Sequence, residues 1–231
     1  MSFEDDVKAE AFHLGFSLCG LAAAQPLAQH AAVYEDWLAA GHHAQMSYLA
    51  AESARLRRAD LSLTLPGVRT VLTVALPYPN PARAAAPADG RLRGRTAAYA
   101  WGQDYHDQIP PRLNQLAAWL QDRLGLPLAH RAYTDTGPIL ERAWGQQAGL
   151  GWFGKNSCLI HPRRGSAFLL GELLLDAELQ PDSPWEADRC GTCTRCVDAC
   201  PTGCILPNRT LDARRCLSYW SIEHKGPIPV E

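Results

Sequence analysis

The sequence lacks any hydrophobic run long enough to cross a membrane, because no stretch approaches the roughly 18 uninterrupted apolar residues that a spanning helix needs. The first residues, MSFEDDVKAEAF, open with acids and contain no apolar core of a signal peptide. We therefore expect a cytoplasmic protein with no membrane partner. In that compartment thiols stay reduced, so clustered cysteines more often bind metal or do redox chemistry than form disulfides.

A surplus of either charge is also missing. The chain has 22 Lys and Arg against 24 Asp and Glu, for a formal net charge of −2 at pH 7. Such a balance gives no overall field that would attract nucleic acid. A local basic stretch remains, with Arg91, Arg93 and Arg95 beside Tyr99 and Trp101. Aromatic rings and positive charge together suit a looped-out RNA segment, and a solvated loop is the alternative of equal weight.

Cysteine is scarce outside one segment, CGTCTRCVDACPTGC, which holds five of the eight cysteines. Cys190, Cys193, Cys196 and Cys200 have the spacing C-x2-C-x2-C-x3-C and are followed by proline. This is the bacterial ferredoxin spacing for a [4Fe–4S] cluster, in which the fourth cysteine serves another cluster. Zinc is the alternative, but zinc sites more often use two separated pairs, or cysteine with histidine. The spacing therefore favours iron–sulfur.

A second cysteine run of this kind is missing from the sequence. Each cube takes four thiolates. Cys200 and Cys216 could each give one to a second cluster, while Cys204, on the turn after Pro201, is interpreted as a plain small residue. Too few thiols then remain for a complete second cube. We expect one or two clusters that are only partly liganded here, either because the chain is truncated or because a single cluster has an improvised fourth ligand.

The hydrophobic pattern upstream of the cysteines predicts a mixture of helices and strands. Helices are expected over residues 3–58 (with Cys19 in the core of an apolar helix), 104–124 and 139–148. Strands are expected over residues 68–78, 127–133 and 167–176, the last paired with SCLIHP (157–162). Residues 79–95 are predicted to be a loop, and Asp135 to Pro138 a turn.

These segments predict two parts of unequal size. Residues 1–180 form an α/β (α+β) core, and residues 181–231 form a small C-terminal cysteine module entered through a polar linker.

Four stretches resemble the epoxyqueuosine reductases, a family of cobalamin-dependent iron–sulfur enzymes of tRNA modification. They are YAWGQDYH (99–106), YTDTGPILERAWGQQAGLGWFGKNSCLIHPRRGSAFLLGELLLD (133–176), CGTCTRCVDACPTGCI (190–205) and LDARRCLSYWSIEHKGPIP (211–229). The resemblance covers essentially the whole chain. Family members continue into a second cysteine run and a tRNA-gripping helical tail, both of which are missing here.

The resemblance implies a function, cofactors and partners. The reaction is reduction of the epoxide of epoxyqueuosine, a base in the tRNA anticodon, to queuosine. The cofactors are base-off cobalamin and [4Fe–4S] clusters, two in the family. The partners are a tRNA bearing epoxyqueuosine and a low-potential electron donor, and the protein is a monomer by default. The module would be ferredoxin-like, on a cobalamin-binding core.

The resemblance also implies residue roles. Asp135 matches the proton donor, and burial beside the corrin should raise its pKa so that it stays protonated; an ordinary turn or helix cap is the alternative. The substrate or tRNA contacts would be Tyr105, His106 and Lys225, although a lone histidine at a helix start can be a cap. The cofactor contacts would be Arg57, Tyr99, Asp135, Asn156, Ser157, Cys158, Ser166, Leu170 and Ser218. The metal ligands would be Cys190, Cys193, Cys196, Cys200 and Cys216.

Three other functions remain open at this point. A corrinoid reductive dehalogenase has similar module order, but it usually carries a twin-arginine signal. An electron carrier would not need about 180 residues of α/β domain. A catalytically dead fragment that still binds cobalamin agrees with the missing cysteine run.

Overall fold

A four-stranded antiparallel sheet forms the centre of the protein in this computed structural model, which describes residues 2–79 and 96–228. The strands, in chain order, are β1 (Leu18–Ala23), β2 (Thr70–Pro77), β3 (His130–Tyr133), β4 (Trp152–Phe153), β5 (Leu159–Ile160) and β6 (Phe168–Leu175). The sheet has the order β1-β2-β6-β3, and β4 pairs separately with β5. The α/β (α+β) fold class is therefore confirmed, in its α+β form.

Helices cover both faces of the sheet. In chain order, the helices of the described residues are α1 (Phe3–His13), α2 (Ala28–Ala39), α3 (Ser47–Ala50), α4 (Glu52–Ala59), α5 (Ile109–Leu124), α6 (Glu141–Gln147) and α7 (Arg195–Asp198), of which α1, α5 and α6 pack on the sheet. Single 3₁₀ turns lie at Leu61–Leu63, Ala98–Ala100, Tyr105–Asp107 and Ala213–Arg215, and a π-helical turn lies at Tyr219–Glu223. None of the helices in the described ranges is long and apolar enough to cross a membrane.

Helix α5 has the start, end and apolar spacing that its sequence predicts. Pro110 and Pro111 occupy its first turn, where a missing N–H costs nothing, and Gly125 ends it in the left-handed conformation. Its apolar residues recur every three or four positions and are buried. The amphipathic helix predicted from the prolines onward is confirmed, and a 3₁₀ turn at Tyr105–Asp107 precedes it.

The core lies on both faces of the sheet because successive strand residues point to opposite sides. Leu72, Val74, Leu173 and Leu175 belong to the cluster that α1 and α5 cover. The other face packs on α6, with Val71, Ala75 and Leu174 among its buried residues. Gly171 lets α5 approach closely, since a Cβ there would lie 2.4 Å from Cγ2 of Ile109.

The predicted helix over residues 3–58 is wrong for Leu18–Ala23, which form β1, and Cys19 therefore lies in a strand. The segment LCGLAA is short and apolar, so its composition does not separate strand from helix. Its pairing with β2, from Leu18 opposite Ala75 to Ala23 opposite Thr70, makes it a strand. The tertiary partner therefore decides the conformation.

The predicted pairing of SCLIHP with residues 167–176 is also wrong. Leu159 and Ile160 pair with Phe153 and Trp152, whereas β6 lies between β2 and β3. A central strand buried on both faces is apolar throughout, so its composition does not identify its neighbour.

The other predicted strands and the helix over residues 139–148 correspond to β2, β3 and α6. Most of the predicted loop, residues 80–95, and with it Arg91, Arg93 and Arg95, lies outside the described residues.

Candidate functional site

Asp135 lies in the loop that follows β3, and its backbone is left-handed at φ 45°. This conformation is uncommon for a residue with a Cβ, and aspartate is among the few that tolerate it. The backbone N–H of Asp135 donates to the carboxylate of Glu141, the first residue of α6. The loop is therefore held by a side chain six positions further along the chain.

Two side chains from the turn before α5 contact the Asp135 carboxylate. The Tyr105 hydroxyl donates to Oδ2, and Nε2 of His106 lies 2.8 Å from Oδ1. The other ring nitrogen of His106, Nδ1, lies 2.7 Å from Oδ1 of Asp104. A histidine between two carboxylates can donate to both when it is protonated. The structure thus brings together Asp135, Tyr105 and His106, whose roles were predicted separately and stay predictions.

The pKa values of the two partners follow from these contacts. Desolvation alone would lower the pKa of His106, but the hydrogen bonds to Asp135 and Asp104 outweigh it and raise that pKa. For Tyr105, desolvation and then the hydrogen bond to Asp135 raise the pKa far above its usual value. Tyr105 therefore remains a hydrogen-bond donor at every pH near neutrality, and the charged form of His106 is favoured.

The Asp135 side chain is 46% exposed, so the described residues do not supply the burial that the sequence argument expected. The carboxylate instead faces a cleft of about 560 Å³. The walls of the cleft come from α2, α6, Phe153, Ser157 and the segment Asn208–Leu211. Arg58 also lines it and stacks 5.5 Å over the ring of Tyr34.

The glycine-rich loop between α6 and β5 is tied to the C-terminal part of the chain. Ser157, with φ 67°, is buried and donates from its hydroxyl to the carbonyl of Arg209 at 2.7 Å. Arg142 donates to the Ser157 carbonyl, so both oxygens of Ser157 are engaged within the protein. Arg209 in turn donates to the Phe153 carbonyl and, at 2.6 Å, to Oδ2 of Asp188. Hydrogen bonds therefore join one side of the cleft to the start of the cysteine segment.

The cleft lining does not include four other residues predicted to contact cobalamin, which are Asn156, Cys158, Ser166 and Leu170. Asn156 accepts from the Cys158 N–H at 3.3 Å, and Cys158 is exposed. The Leu170 carbonyl accepts from the hydroxyl of Thr134, the residue before Asp135, at 2.7 Å. Ser166, after the turn that precedes β6, is half-buried.

Four further predicted contacts also lie outside the cleft lining. Tyr99 is 37% exposed and meets Tyr78 edge-on at 6.5 Å. Arg57 is exposed on α4, while its neighbour Arg58 reaches the cleft. The other two, Ser218 and Lys225, are exposed in the last described segment.

The loop of the first three predicted cluster ligands is held by the two-stranded sheet. The indole N–H of Trp152 donates to Sγ of Cys190 at 3.4 Å. The ammonium of Lys155 donates to the carbonyls of Gly191 and Cys193, at 2.8 and 3.0 Å. The loop thus receives donors from a different part of the fold, and one of them reaches a predicted thiolate ligand.

The other cysteines form a second group. Sγ of Cys200 lies 3.5 Å from Sγ of the buried Cys204. The backbone N–H of Cys204, and then the Cys204 and Thr202 side chains, lower the pKa of Cys200 to about 6, against the opposing effect of desolvation. Cys216 is half-buried further along the chain.

The donor set fits a cluster better than a single metal ion. Among the residues described, no three His, Cys, Asp or Glu side chains converge closely enough for a single metal ion. A four-iron cube is larger than one ion and separates its thiolates further, so this finding does not conflict with a cluster. Cys190, Cys193 and Cys196 offer thiols from one short loop, with an N–H donor on the first, and this chemistry fits a cube.

Glu141, Glu172, Arg142 and Arg209 have no role in the sequence interpretation. Each was indistinguishable from an ordinary surface charge, except Glu172, which interrupts the apolar run LLGELLL. A carboxylate inside a central strand was the one signal that could have been followed, because such groups are rarely buried without a reason.

Two family models match the chain. Residues 58–136 match the one described as "Epoxyqueuosine reductase QueG, DUF1730", and residues 189–231 match the "4Fe-4S double cluster binding domain". The C-terminal part is therefore an iron–sulfur-binding segment.

Curated relatives carry the same name. An epoxyqueuosine reductase of Pseudomonas aeruginosa is 42% identical over 220 residues, 94% of this chain and 60% of the relative. One of Cyclobacterium marinum is 40% identical over 223 residues, 96% of this chain and 70% of the relative. The chain thus spans 60% and 70% of the length of these two relatives.

Solved structures agree with the fold. The epoxyqueuosine reductase of Streptococcus thermophilus superposes with a TM-score of 0.86 at 28% identity, covering 100% of this chain and 60% of that one. A crystal structure of an epoxyqueuosine reductase with a tRNA-Tyr epoxyqueuosine-modified stem loop gives 0.88 at 28% identity, covering 98% and 59%.

Proposed function

Because this chain belongs to the epoxyqueuosine reductase family, we propose that it reduces epoxyqueuosine in tRNA to queuosine. The observation that carries the proposal is the contact of Asp135 with Tyr105 and His106 at a cleft whose far wall is tied to the cysteine segment. Removing an epoxide oxygen needs low-potential electrons and a proton. Asp135 lines the cleft, and Arg209, which also lines it, donates to Asp188, two positions before Cys190.

The cleft fits part of a large flat cofactor, for which we propose base-off cobalamin. The loop beside the cleft is closely packed at Gly154, where a Cβ would lie 2.5 Å from Oδ1 of Asn156. We propose that Ser157, which lines the cleft, shapes this loop. Asn156, Cys158 and Leu170, which lie outside the cleft lining, would hold the part of the corrin that extends beyond it. When bound, reduced cobalamin would supply a strongly nucleophilic or radical-forming centre. The more distant predicted contacts, Arg57, Tyr99, Ser166 and Ser218, would reach only the periphery of such a ligand.

The described side chains supply the proton chemistry. Tyr105 and the charged form of His106 donate hydrogen bonds to the Asp135 carboxylate and fix its orientation. The proton passes from Nε2 of His106 to Oδ1 of Asp135, and Asp135 then gives it, as a positioned general acid, to the oxygen that leaves the carbon. Asp135 is left as a carboxylate and His106 as a neutral imidazole.

The proposal includes partners. A tRNA bearing epoxyqueuosine is the substrate, and a relative's crystal structure with a modified tRNA stem loop supports this choice. A low-potential donor feeds the clusters, whose ligands would be Cys190, Cys193, Cys196, Cys200 and Cys216. Lys225 lies in the exposed C-terminal segment and would contact the RNA. We expect a monomer in the cytoplasm.

The test is an anaerobic turnover assay of the 231-residue chain. The chain is reconstituted with iron, sulfide and cobalamin and mixed with a stem loop carrying epoxyqueuosine and a low-potential reductant. We expect mass spectrometry to show loss of one oxygen from the base. A chain that is loaded with both cofactors but yields no product would contradict the proposed activity.

The matched variant is Asp135→Asn. Asparagine also tolerates the left-handed conformation, so folding and cofactor content should be retained. Turnover should fall by about 10²–10⁴-fold, the usual contribution of general acid catalysis. Turnover equal to that of the unaltered chain would remove the proton-donor role from Asp135.

A further inference from the structure

Glu172 is a fully buried carboxylic residue at the centre of the sheet. It lies on β6, opposite Thr73 of β2 and Tyr133 of β3, and has 0% exposure. It shares a face with Leu174, on the side covered by α6. Neither carboxyl oxygen accepts a hydrogen bond from an N–H or O–H group of the described residues. A buried group of this kind is costly unless another group pairs with it.

Glu141 is the group that meets it. The carboxyl groups of Glu141 and Glu172 are within hydrogen-bond reach of each other, and Glu141 also accepts the backbone N–H of Asp135. The other charged groups that act on Glu141 are the Asp135 carboxylate and the Arg142 guanidinium. The contacts therefore form a chain from the centre of the sheet to the backbone of the proposed acid.

Two adjacent carboxyl groups in a desolvated site cannot both be ionised. Desolvation raises the pKa of both Glu141 and Glu172, and the neighbouring charge of Glu141 raises the pKa of Glu172 further. Glu141 accepts the Asp135 N–H, which favours its charged form, whereas Glu172 is fully buried and accepts no hydrogen bond from an N–H or O–H group in the described part of the chain. Glu172 is therefore the group that keeps its proton, and it can donate a hydrogen bond to Glu141. The Glu141 carboxylate then accepts two hydrogen bonds, one from Glu172 and one from Asp135.

We propose that Glu172 and Glu141 form a carboxylic acid–carboxylate pair that holds Asp135 in its left-handed conformation. Glu172 is a positioning residue, because it acts on Asp135 only through Glu141. The pair would keep the Asp135 carboxylate directed at Tyr105 and His106. The inference rests on the proposed function only where it concerns the role of Asp135 in turnover. The existence of the Glu172–Glu141 pair does not depend on the proposed function.

The test uses two substitutions of Glu172 that differ in one property. Glu172→Gln keeps a donor for Glu141, whereas Glu172→Met keeps a similar length and removes the donor. Infrared spectra of the unaltered chain at neutral pH should show a protonated carboxylic acid band that both variants lose. Amide exchange at Asp135, followed by NMR, should stay slow in Glu172→Gln. It should accelerate about tenfold in Glu172→Met, the effect of roughly one lost hydrogen bond.

Turnover provides a second measurement. In Glu172→Met, kcat should fall about tenfold with KM for the stem loop retained, because orientation of the acid is lost and binding is not. Glu172→Gln should rescue kcat. A merely structural role would lower the melting temperature without separating kcat from KM.

Either of two outcomes would contradict the proposed pair. One is the absence of the acid band in the unaltered chain, and the other is slow amide exchange at Asp135 in Glu172→Met. If Glu172→Met does not fold, Glu141→Ala and Glu141→Gln make the same comparison from the other side of the pair, since only glutamine still offers an acceptor to Asp135. If the unaltered chain shows no epoxide reduction, the proposed function fails, while the infrared and exchange measurements still decide the pair.

Discussion

Asp135 depends on partners that are distant in sequence. Tyr105 and His106 lie 30 and 29 positions before it, and Glu141 lies six positions after it. Each contact uses a different atom, so the two carboxylate oxygens and the backbone N–H are all engaged. A residue with two partners on its side chain and a third on its backbone has few alternative orientations, which is what the proposed role as a positioned acid requires.

Three of these four residues, Asp135, Tyr105 and His106, were predicted as site residues by resemblance, because they lie in stretches similar to the family. Their roles stay predictions, and their contact with one another was not predicted. Glu141 lies inside the matched stretch but was given no role, because a glutamate at a helix start is ordinary. Its importance depends on its contact with the buried Glu172, which no local sequence pattern predicts.

The raised pKa of His106 gives a prediction for stability. Because its pKa is higher in the folded than in the unfolded chain, His106 adds stability below the unfolded pKa of about 6.5. That contribution disappears as the pH rises through the folded pKa. The loss of stability on His106→Gln should therefore be larger near pH 6 than near pH 8, as measured by urea unfolding at both.

The control for this prediction is the same substitution in Asp135→Asn. Without the Asp135 charge, the pH dependence caused by His106 should shrink. A stability difference between the unaltered chain and the His106→Gln variant that does not change with pH would contradict the raised pKa.

Among the structural elements, the small sheet of β4 and β5 connects the core to the cysteine loop. Trp152 of β4 donates to Cys190, and Lys155, in the turn after β4, donates to two carbonyls of the cysteine loop. The sequence predicted the wrong partner for the SCLIHP segment, because two-residue strands carry no hydrophobic period. Local sequence therefore could not reveal how the cysteine loop is held.

The Trp152 contact predicts an effect on the cluster. Hydrogen bonds to cluster sulfurs stabilise the more negative, reduced state, so Trp152→Phe should lower the reduction potential. A spectroelectrochemical titration of the reconstituted chain measures this change.

Trp185 offers a matched control in the same aromatic contact. Its ring lies 6.1 Å from that of Trp152, but its N–H donates to the Ala187 carbonyl and not to sulfur. Trp185→Phe should leave the potential unchanged. Equal shifts in the two variants would mean that ring packing, and not the N–H···S contact, sets the potential.

At the scale of the whole molecule, the segment after the cysteines returns to the first helices of the chain. The indole N–H of Trp37 on α2 donates to the Leu211 carbonyl at 2.6 Å, and the Ala213 N–H donates to the His42 carbonyl at 2.9 Å. Arg209 joins this segment to β4 and to Asp188. The C-terminal part therefore forms one wall of the cleft, and it contacts the core directly as well as through the polar linker.

Arg209→Ala tests this arrangement. It removes a charge-assisted hydrogen bond and leaves the Phe153 carbonyl without that donor, so the free energy of unfolding should fall by about 1–3 kcal/mol. Cobalamin retention after gel filtration should fall with it, because the cleft loses a wall.

Arg55→Ala is the control, since Arg55 pairs with Glu35 on an exposed surface. Its effect on unfolding should stay within about 0.5 kcal/mol, with cobalamin retained. If Arg209→Ala behaves like Arg55→Ala, the C-terminal segment does not support the cleft.

The sequence by itself determined the family, the iron–sulfur segment and most of the regular elements. These features are local: cysteine spacing, prolines that begin α5, and long stretches that match relatives over most of the chain. The family resemblance and the α+β class are both confirmed, whereas the boundary between residues 180 and 181 stays a prediction.

The tertiary structure alone decided the strand character of Leu18–Ala23, the partner of β5, and the contacts of Glu172 and Arg209. In each case the deciding partner is remote in the chain. A short apolar segment takes the conformation that its neighbour in space supports, and a buried carboxyl group is tolerated only where another group pairs with it. Such contacts form between residues that are far apart in the sequence, so they cannot be predicted from the local order of residues.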